Sequence, residues 1–298
     1  GPAQDLCLPT TTATLAANTA TAPAVGTWTL VSGAGVVTSP NSPNSTVTGL
    51  GQGTNMFRWT IDNGACTPPT SAQVSIRVFS NTQPAANAGA DQQLCAPNLS
   101  TTLAANAPIA PASGQWTVVT GTGTFANAAL RNTTVTGLSM GLNRFRWTIN
   151  NGPCTPPSSF DEVDIVVFNP ASPNANAGPN QQVCAANATL AANAPLTPAT
   201  GQWTVVTGTG TFANSTSPTT TVSGLSIGTN TFQWTLSNGP CANGVTTSQV
   251  TITRFDGSAP AASAGPDQDL CTVGSSSLAS TTLAANAAVA PATGTWTV

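Results

Sequence analysis

Apolar and polar side chains alternate along this chain in short runs that are separated by turn residues. In residues 143–149 and 161–168 every second side chain is apolar, namely Phe145, Trp147, Ile149, Val163, Ile165 and Val167. A period of two predicts strands with one face in a core and one in water. The runs 101–106, 114–119 and 132–138 predict further strands, with Trp116 and Val118 on one face of the second. Helix is not favoured, because the runs are short and bounded by Pro and Gly.

The same pattern returns several times along the chain. Residues 114–125, Gly-Gln-Trp-Thr-Val-Val-Thr-Gly-Thr-Gly-Thr-Phe, recur letter for letter at 201–212, and a relative lies at 26–37. The glycines Gly1, Gly89, Gly178 and Gly265 mark steps of 88, 89 and 87 residues. A period of this length is typical of a small domain and not of a solenoid unit. It predicts domains at 1–80, 81–169 and 170–256, followed at 257–298 by a partial fourth repeat with its first strands only.

Each full repeat offers five to seven short strands, with one Trp early and one Trp late. This arrangement predicts an all-β fold of tandem immunoglobulin-like β-sandwiches. The six tryptophans alternate in phase with apolar neighbours and are therefore predicted to lie in the cores: Trp28, Trp59, Trp116, Trp147, Trp203 and Trp234. Joins rich in Pro, Ala and Asn at 80–90, 169–179 and 256–266 predict semi-rigid linkers and a rod.

Two cysteines occur in each full repeat, one near its start and one after an Asn-Gly turn. The simplest pairing is one disulfide within each domain: Cys7 with Cys66, Cys95 with Cys154, and Cys184 with Cys241. Cys271 then remains unpaired, because its partner would follow residue 298. The alternative pairs Cys66 with Cys95, links neighbouring domains and leaves Cys7 without a partner. Either pairing predicts an oxidising, extracellular setting, and neither has the spacing of a zinc site.

Composition excludes several functions. The chain has no His, Lys or Tyr, and its formal net charge is −3. Six arginines are too few to displace counterions from a nucleic acid. The usual general base, the Schiff-base nucleophile and the commonest zinc ligand are missing, so we expect no enzyme and no catalytic residues. No run of 18 apolar residues is present, so we expect no membrane span.

The few acidic residues leave one question of metal binding open. We interpret Asp5, Asp91, Asn180 and Asp267 as one recurrent position that follows a turn. Carboxylates at such a position could bind calcium between domains, whereas an Asx-turn would use them only to accept backbone hydrogen bonds. The amide at 180 breaks the carboxylate series and favours the turn, so no cofactor is expected. Asp161, Glu162 and Asp164 occur together only in the second repeat, where they predict a solvated strand edge.

The motif string resembles a known type of repeat. Residues 88–95, 101–108, 114–125 and 132–154 carry the likeness, and it extends over the whole chain. They resemble the PKD-like, immunoglobulin-like repeats of giant surface adhesins and filament proteins of gliding Bacteroidetes, which are exported by the type IX pathway. The resemblance implies a structural segment of a long extracellular filament or stalk used in adhesion, gliding or cell capture. It implies no catalytic residues.

Two questions about assembly follow from the repeats. Near-identical modules predict a homo-oligomer or fibre of identical chains, with a cell-surface or glycan target at a distal tip. The alternative function is a set of carbohydrate-binding sandwiches, which would require exposed aromatic side chains. Residues 294–298 begin a fourth copy of the Trp motif, so we interpret the chain as a window on a longer periodic sequence. The alternative is that a neighbouring molecule donates the strands that complete the fourth domain.

Overall fold

The computed structural model describes residues 1–270 and 280–298. Within these residues all regular structure is β, and no helix is long or apolar enough to cross a membrane. The chain divides into two compact units, Gly1–Val167 and Phe168–Val298. The predicted domain boundaries stay a prediction, although the strands of the three sandwiches fall within the three predicted full-repeat ranges.

Seven strands form each sandwich. The first repeat contains β1 (Gln4–Cys7), β2 (Ala13–Thr14), β3 (Val25–Ser32), β4 (Val36–Val37), β5 (Thr46–Thr48), β6 (Gly53–Asp62) and β7 (Thr70–Phe79). The second contains β8 (Gln92–Cys95), β9 (Ser100–Ala104), β10 (Ser113–Thr120), β11 (Thr124–Phe125), β12 (Asn132–Thr136), β13 (Gly141–Asn150) and β14 (Ser158–Phe168). The third contains β15 (Gln181–Val183), β16 (Asn187–Ala191), β17 (Thr200–Thr207), β18 (Thr211–Phe212), β19 (Thr219–Ser223), β20 (Gly228–Ser237) and β21 (Val245–Arg254).

A four-stranded and a three-stranded sheet face each other in each repeat. The orders in the first repeat are β1-β7-β6-β3 and β2-β5-β4, and the other two repeats have the same arrangement. The long hairpin β6–β7 is antiparallel, whereas β1 runs parallel to β7 with Cys7 opposite Phe79. The first strand therefore ends at the same end of the sandwich as the last strand, which is the end where the linker begins. The all-β, immunoglobulin-like fold predicted from the repeats is confirmed.

A pair of tryptophans fills the centre of each core. Trp116 lies opposite Trp147 across β10 and β13, with ring centroids 5.2 Å apart, and both side chains are at most 1 % exposed. The other repeats hold the equivalent pairs at 5.2 and 5.1 Å. Gly114 precedes Trp116 by two residues on the same face, and a Cβ at Gly114 would fall 2.0 Å from the Trp147 ring. The Gly-x-Trp motif is therefore a packing motif, because the glycine leaves room for the second indole.

A buried asparagine anchors the start of the long hairpin in each repeat. Asn143 is fully buried, and its side-chain oxygen accepts hydrogen bonds from the backbone nitrogens of Thr122 and Ser139 at 3.1 and 3.0 Å. Its amide donates to the carbonyl oxygen of Ser139 at 2.8 Å. Asn55 and Asn230 are buried at the equivalent positions. A buried amide with both ends bonded fixes the loops that connect the two sheets.

One expectation about the second repeat is confirmed and another is wrong. Val118 shares the face of Trp116, since it lies opposite the buried Phe145, although it is itself 43 % exposed. Strand β14 is not a sheet edge, because β13 and β8 lie on either side of it. The acidic side chains on β14 instead face partners on neighbouring elements.

The partial fourth repeat does not form the predicted first strands in the part that the structure describes, residues 257–270 and 280–298. The reason is that β1 and β3 of the first repeat pair with β7 and β6, and these have no counterpart in residues 257–298. Trp296 is 54 % exposed, in contrast to the buried tryptophans of the full repeats. Cys271, which was predicted to be unpaired, lies outside the described residues.

Candidate functional site: the joint between repeats

A disulfide joins the first and second repeats. Cys7, at the end of β1, is bonded to Cys154, in the turn between β13 and β14, with the two Cα atoms 5.1 Å apart. The bond closes a loop across 147 residues of sequence. Cys95 and Cys241 are also disulfide-bonded. Disulfides are typical of extracellular proteins.

The predicted pairing within each repeat is therefore wrong, and so is the alternative pairing of Cys66 with Cys95. Cys66 and Cys184 are free, and both are exposed. The register of β1 explains the error. Cys7 lies opposite Phe79 at the end of β7, whereas Cys66 lies in the turn before Thr70 at its start. Ten residues of strand separate these ends by roughly 30 Å, whereas disulfide Cα atoms must approach within about 7 Å.

Around the disulfide, an Asn-Gly turn of the second repeat packs against the end of the first repeat. We call residues 150–154 the docking turn of the second repeat, and Cys7, Phe79 and Ser80 the socket of the first. Gly152 has φ +56°, and a Cβ there would fall 2.7 Å from the Phe79 ring. Asn151 donates its amide to the carbonyl oxygen of Ser80 at 2.9 Å. Asn151, Phe79 and Cys154 are each at most 5 % exposed, so the joint excludes water at its centre.

The second compact unit contains the same contacts between the end of β14 and the turn of the third repeat. Gly239 has φ +55°, and a Cβ there would fall 2.6 Å from the ring of Phe168, which is 8 % exposed. Asn238 donates to the carbonyl oxygen of Asn169 at 2.9 Å. Asn243 adds a bond of 2.6 Å to the carbonyl oxygen of Ser172. Docking of an Asn-Gly turn onto a phenylalanine thus occurs twice, with two different sequences around it.

The Asn-Gly dipeptide has two roles in this joint. As expected of a tight turn, Asn150 accepts a hydrogen bond from the backbone nitrogen of Gly152 at 3.0 Å, and the glycine adopts positive φ. The second role is contact, because the absent side chain of Gly152 lets the backbone lie directly on Phe79. Sequence reasoning found the turn and did not find the docking. The available signal was the recurrence of Phe79, Phe168 and Phe255 at the last core position of each repeat.

The residues considered for calcium binding have other partners. Asp5 does not share the repeat position of Asp91, since it lies two residues after that position, and it forms a bidentate ion pair with Arg77 at 2.7 Å. Asp91 and Asn180 do correspond, and each accepts a hydrogen bond at 2.9 Å from a backbone nitrogen on the last strand of its own repeat. These bonds fasten the first strand to the sheet and are not Asx-turns. No cluster of three metal-ligating side chains occurs in residues 1–270 and 280–298.

The acidic group of the second repeat is paired with arginines on β13. Arg144 holds Asp164 through two bonds of 2.6 and 2.8 Å, and Arg146 holds Glu162 at 2.6 Å. The hydrogen bonds that Arg144 donates to Asp164 lower the pKa of Asp164, and the same bonds raise the pKa of Arg144. Asp161 accepts from the backbone nitrogen of Ala88 in the linker at 2.8 Å. Each of these three carboxylates is therefore bonded to an arginine or to a backbone nitrogen, and we assign the acidic group a structural role.

Comparisons with known proteins find several solved structures of low similarity and no family. No protein family has a sequence profile that matches the chain, and no curated protein matches it. Among solved structures, three immunoglobulin domains from the I-band of titin share 13 % identity, with 85 % of this chain and 95 % of that chain covered and a TM-score of 0.36. A chain from the Dpr2 complex with DIP-Theta shares 13 % identity over 86 % and 98 % of the two chains, with a TM-score of 0.45.

A single PKD domain, from the KIAA 1837 protein, is also similar. It shares 29 % identity, covers 30 % of this chain and 90 % of its own, and has a TM-score of 0.26. Since all three TM-scores lie below 0.5, the assignment to immunoglobulin-like sandwiches depends on the sheet order described above.

Proposed function

We propose that this chain is a structural segment of an extracellular filament or stalk at the cell surface, where it serves adhesion, gliding or cell capture. The observation that carries the proposal is the joint between the first two repeats. A buried docking turn and the disulfide between Cys7 and Cys154 connect the two modules in addition to the linker peptide. A second covalent connection suits a protein that transmits tension from one module to the next.

The cores support a structural role and argue against the alternative of carbohydrate binding through the recurrent tryptophans. All six lie between 0 and 4 % exposed, so none offers a ring face to a sugar. The segment also lacks His, Lys and Tyr, and the arginine-bonded carboxylates of the second repeat are not poised for acid–base chemistry. We therefore propose that these repeats are not catalytic. The resemblance of the motifs to repeats of type IX-exported surface proteins of gliding Bacteroidetes supports the same role.

A recurrent apolar pair on one sheet edge supports the proposal of a fibre made from identical chains. The edge strands β3, β10 and β17 each expose two neighbouring apolar side chains by 41–46 %: Leu30 and Val31, Val118 and Val119, and Val205 and Val206. Exposed apolar residues on an unpaired edge favour association with another copy. The distal target, on a cell surface or a glycan, would then be bound elsewhere along such a fibre.

Immunogold electron microscopy of the producing cells tests the proposal. Antibodies raised against residues 1–298 are expected to label surface filaments along their length. Replacing both Cys7 and Cys154 with Ser should leave the labelling in place but make the filaments less resistant to shear, because only the linker peptide and non-covalent contacts then connect the two repeats. A Cys66→Ser variant is the matched control and should resist shear like the original. Label confined to the cell interior, or to a soluble secreted protein, would overturn the proposal.

A further inference from the structure

The second repeat differs from the other two on the solvent side of its long hairpin, β13–β14. Three pairs of residues lie opposite each other on that side: Arg144 and Asp164, Arg146 and Glu162, and Thr148 and Phe160. The equivalent pairs of the third repeat are Thr231 and Thr251, Gln233 and Gln249, and Thr235 and Thr247. Those of the first repeat are Met56 and Ser75, Arg58 and Gln73, and Thr60 and Ser71. We call Arg144, Arg146, Phe160, Glu162 and Asp164 the Phe160 face.

The core side of the same hairpin does not differ between the second and third repeats. Its buried residues are of the same type in both: Phe145 and Phe232, Trp147 and Trp234, Val163 and Val250, and Ile165 and Ile252. Residues 114–127 and 201–214 are also identical. On the solvent side, five of the six residues nevertheless differ. A spacer module does not need this change, since exposed ion pairs add little stability.

Phe160 presents an aromatic ring to solvent on this face. Its side chain is 60 % exposed, and the guanidinium carbon of Arg146 lies over the ring, 4.2 Å from its centroid. The arginine covers one side of the ring and holds it in place, which leaves the other side open. Carbohydrate binding requires an exposed aromatic side chain, and Phe160 meets this condition, whereas the six core tryptophans do not.

The ion pairs beside Phe160 leave some of their hydrogen-bonding atoms unused. Arg144 binds Asp164 through Nε and Nη2, and Arg146 binds Glu162 through the same two atoms. The Nη1 group of each arginine therefore has no bonded partner among the residues that the structure describes. Glu162 accepts both of its bonds at Oε1, so Oε2 is open to a donor. These four side chains are 26–39 % exposed, which means that a ligand can reach them.

The charges on the Phe160 face favour a neutral ligand that carries hydroxyl groups. The two guanidinium groups and the two carboxylates balance, so an anion would meet the carboxylates and a cation would meet the guanidinium groups. A hydroxyl group both donates and accepts hydrogen bonds. Neighbouring hydroxyls of a sugar can therefore accept from Nη1 of an arginine and donate to Oε2 of Glu162. The C–H side of the sugar ring, which is partly positive, can pack on the negative face of the Phe160 ring.

We propose that the Phe160 face binds a neutral polysaccharide, with Phe160 as the platform for a sugar ring and Arg144, Arg146 and Glu162 as partners of its hydroxyls. Phe160 and Asp164 are four residues apart on an extended strand, so the face is roughly 14 Å long. It therefore has room for more than one sugar ring, and an extended chain suits the sheet better than a helical one. The use of this site to attach a filament to a glycan rests on the proposed function, whereas the binding itself does not.

Affinity gel electrophoresis of the full chain tests the proposal with three soluble, neutral polysaccharides of extended chain: hydroxyethyl cellulose, glucomannan and mixed-linkage β-glucan. At least one of them should retard the chain more than the polyanion dextran sulfate does. Phe160→Thr introduces the residue type that the third repeat has at this position and should raise the dissociation constant about tenfold or more. Leu130→Thr is the matched control, since Leu130 is 54 % exposed in the same repeat and lies outside the Phe160 face.

Three results would overturn the proposal. The first is that none of the three neutral polysaccharides retards the chain. The second is that dextran sulfate retards it more than they do. The third is that Phe160→Thr is retarded as strongly as the original chain or the Leu130→Thr control.

Transfer of the face to the third repeat tests whether its five side chains are sufficient. The substitutions, made in the Phe160→Thr chain, are Thr231→Arg, Gln233→Arg, Thr247→Phe, Gln249→Glu and Thr251→Asp. This chain should regain the retardation, because the two hairpins have the same register. A chain that keeps its circular dichroism spectrum and is not retarded would contradict the assignment of the site to these residues.

The other occupant of an exposed ring would be a second copy of this chain, and analytical ultracentrifugation distinguishes it. The original chain and Phe160→Thr should sediment alike. A dimer that is lost on Phe160→Thr would assign the face to an interface between copies and overturn the proposal. The filament role is tested separately by surface labelling. Absence of surface label with retained polysaccharide binding refutes the filament role alone, and labelled filaments without polysaccharide binding refute the site alone.

Discussion

The disulfide between Cys7 and Cys154 makes a mechanical prediction. If the chain is pulled from a handle before Gly1 and a second handle inserted at the exposed Pro173, tension passes through the disulfide. The 147-residue separation between the two cysteines is then excluded from the extended length. The Cys7→Ser substitution removes the bond, so the residues between positions 7 and 154 then add to the extended length. At about 3.4 Å per extended residue, the gain in length is roughly 500 Å.

Optical tweezers measure this gain directly, at a force that unfolds the sandwiches and in a buffer without reductant. The unmodified chain and the Cys66→Ser variant should reach the same final length, because Cys66 is free. The Cys7→Ser variant should reach a final length that is greater by roughly 500 Å. If Cys7 were instead bonded to Cys66, the hidden segment would be 59 residues long and about 200 Å would appear in both variants. That result would refute the joint between repeats.

Three further predictions concern packing. In urea titrations, Gly152→Ala should lower the free energy of unfolding by about 1–3 kcal/mol more than Gly64→Ala does. Both substitutions strain a turn with positive φ, but only the side chain added at residue 152 would meet the ring of Phe79. Equal losses of stability would contradict the docking. Asn143→Ala should cost about 2–4 kcal/mol, since it leaves buried backbone nitrogens without an acceptor, and a cost below 1 kcal/mol would show that water replaces the amide. Acrylamide should quench only a minor part of the tryptophan fluorescence, from Trp296, and quenching of most of it would place the core indoles in solvent.

Most of the fold was accessible to sequence reasoning because the repeats show the same pattern several times. The alternation in residues 143–149 predicts the inward face of β13, and Phe145, Trp147 and Ile149 are all fully buried. Val118 shows the limit of that reasoning. Alternation places it on the face of Trp116, and its position opposite Phe145 confirms that face, but its side chain is still 43 % exposed. Periodicity indicates which face a side chain takes and not whether another element covers it.

The joint could be found only in part. Its turn is visible as an Asn-Gly dipeptide, and its cysteines are visible as a regular series. Spacing along the chain nevertheless favours partners 59 residues apart over partners 147 residues apart, because a domain is the natural unit to close. The buried hydrogen bond from Asn151 to the carbonyl oxygen of Ser80 could not be predicted, because neither the sequence around residue 80 nor that around residue 151 indicates that the two lie together.

The sequence by itself determined the repeat, the β-sandwich class, the tryptophans of the core and the absence of common catalytic side chains. These properties follow from local periodicity and composition, which every repeat displays. The tertiary structure alone decided which cysteines meet. That outcome depends on one pairing, β1 parallel to β7, which places Cys7 at the linker end of its sandwich and roughly 30 Å from Cys66. A parallel and an antiparallel first strand have the same alternating pattern, so only the assembled sheet sets the direction and with it the partner of each thiol.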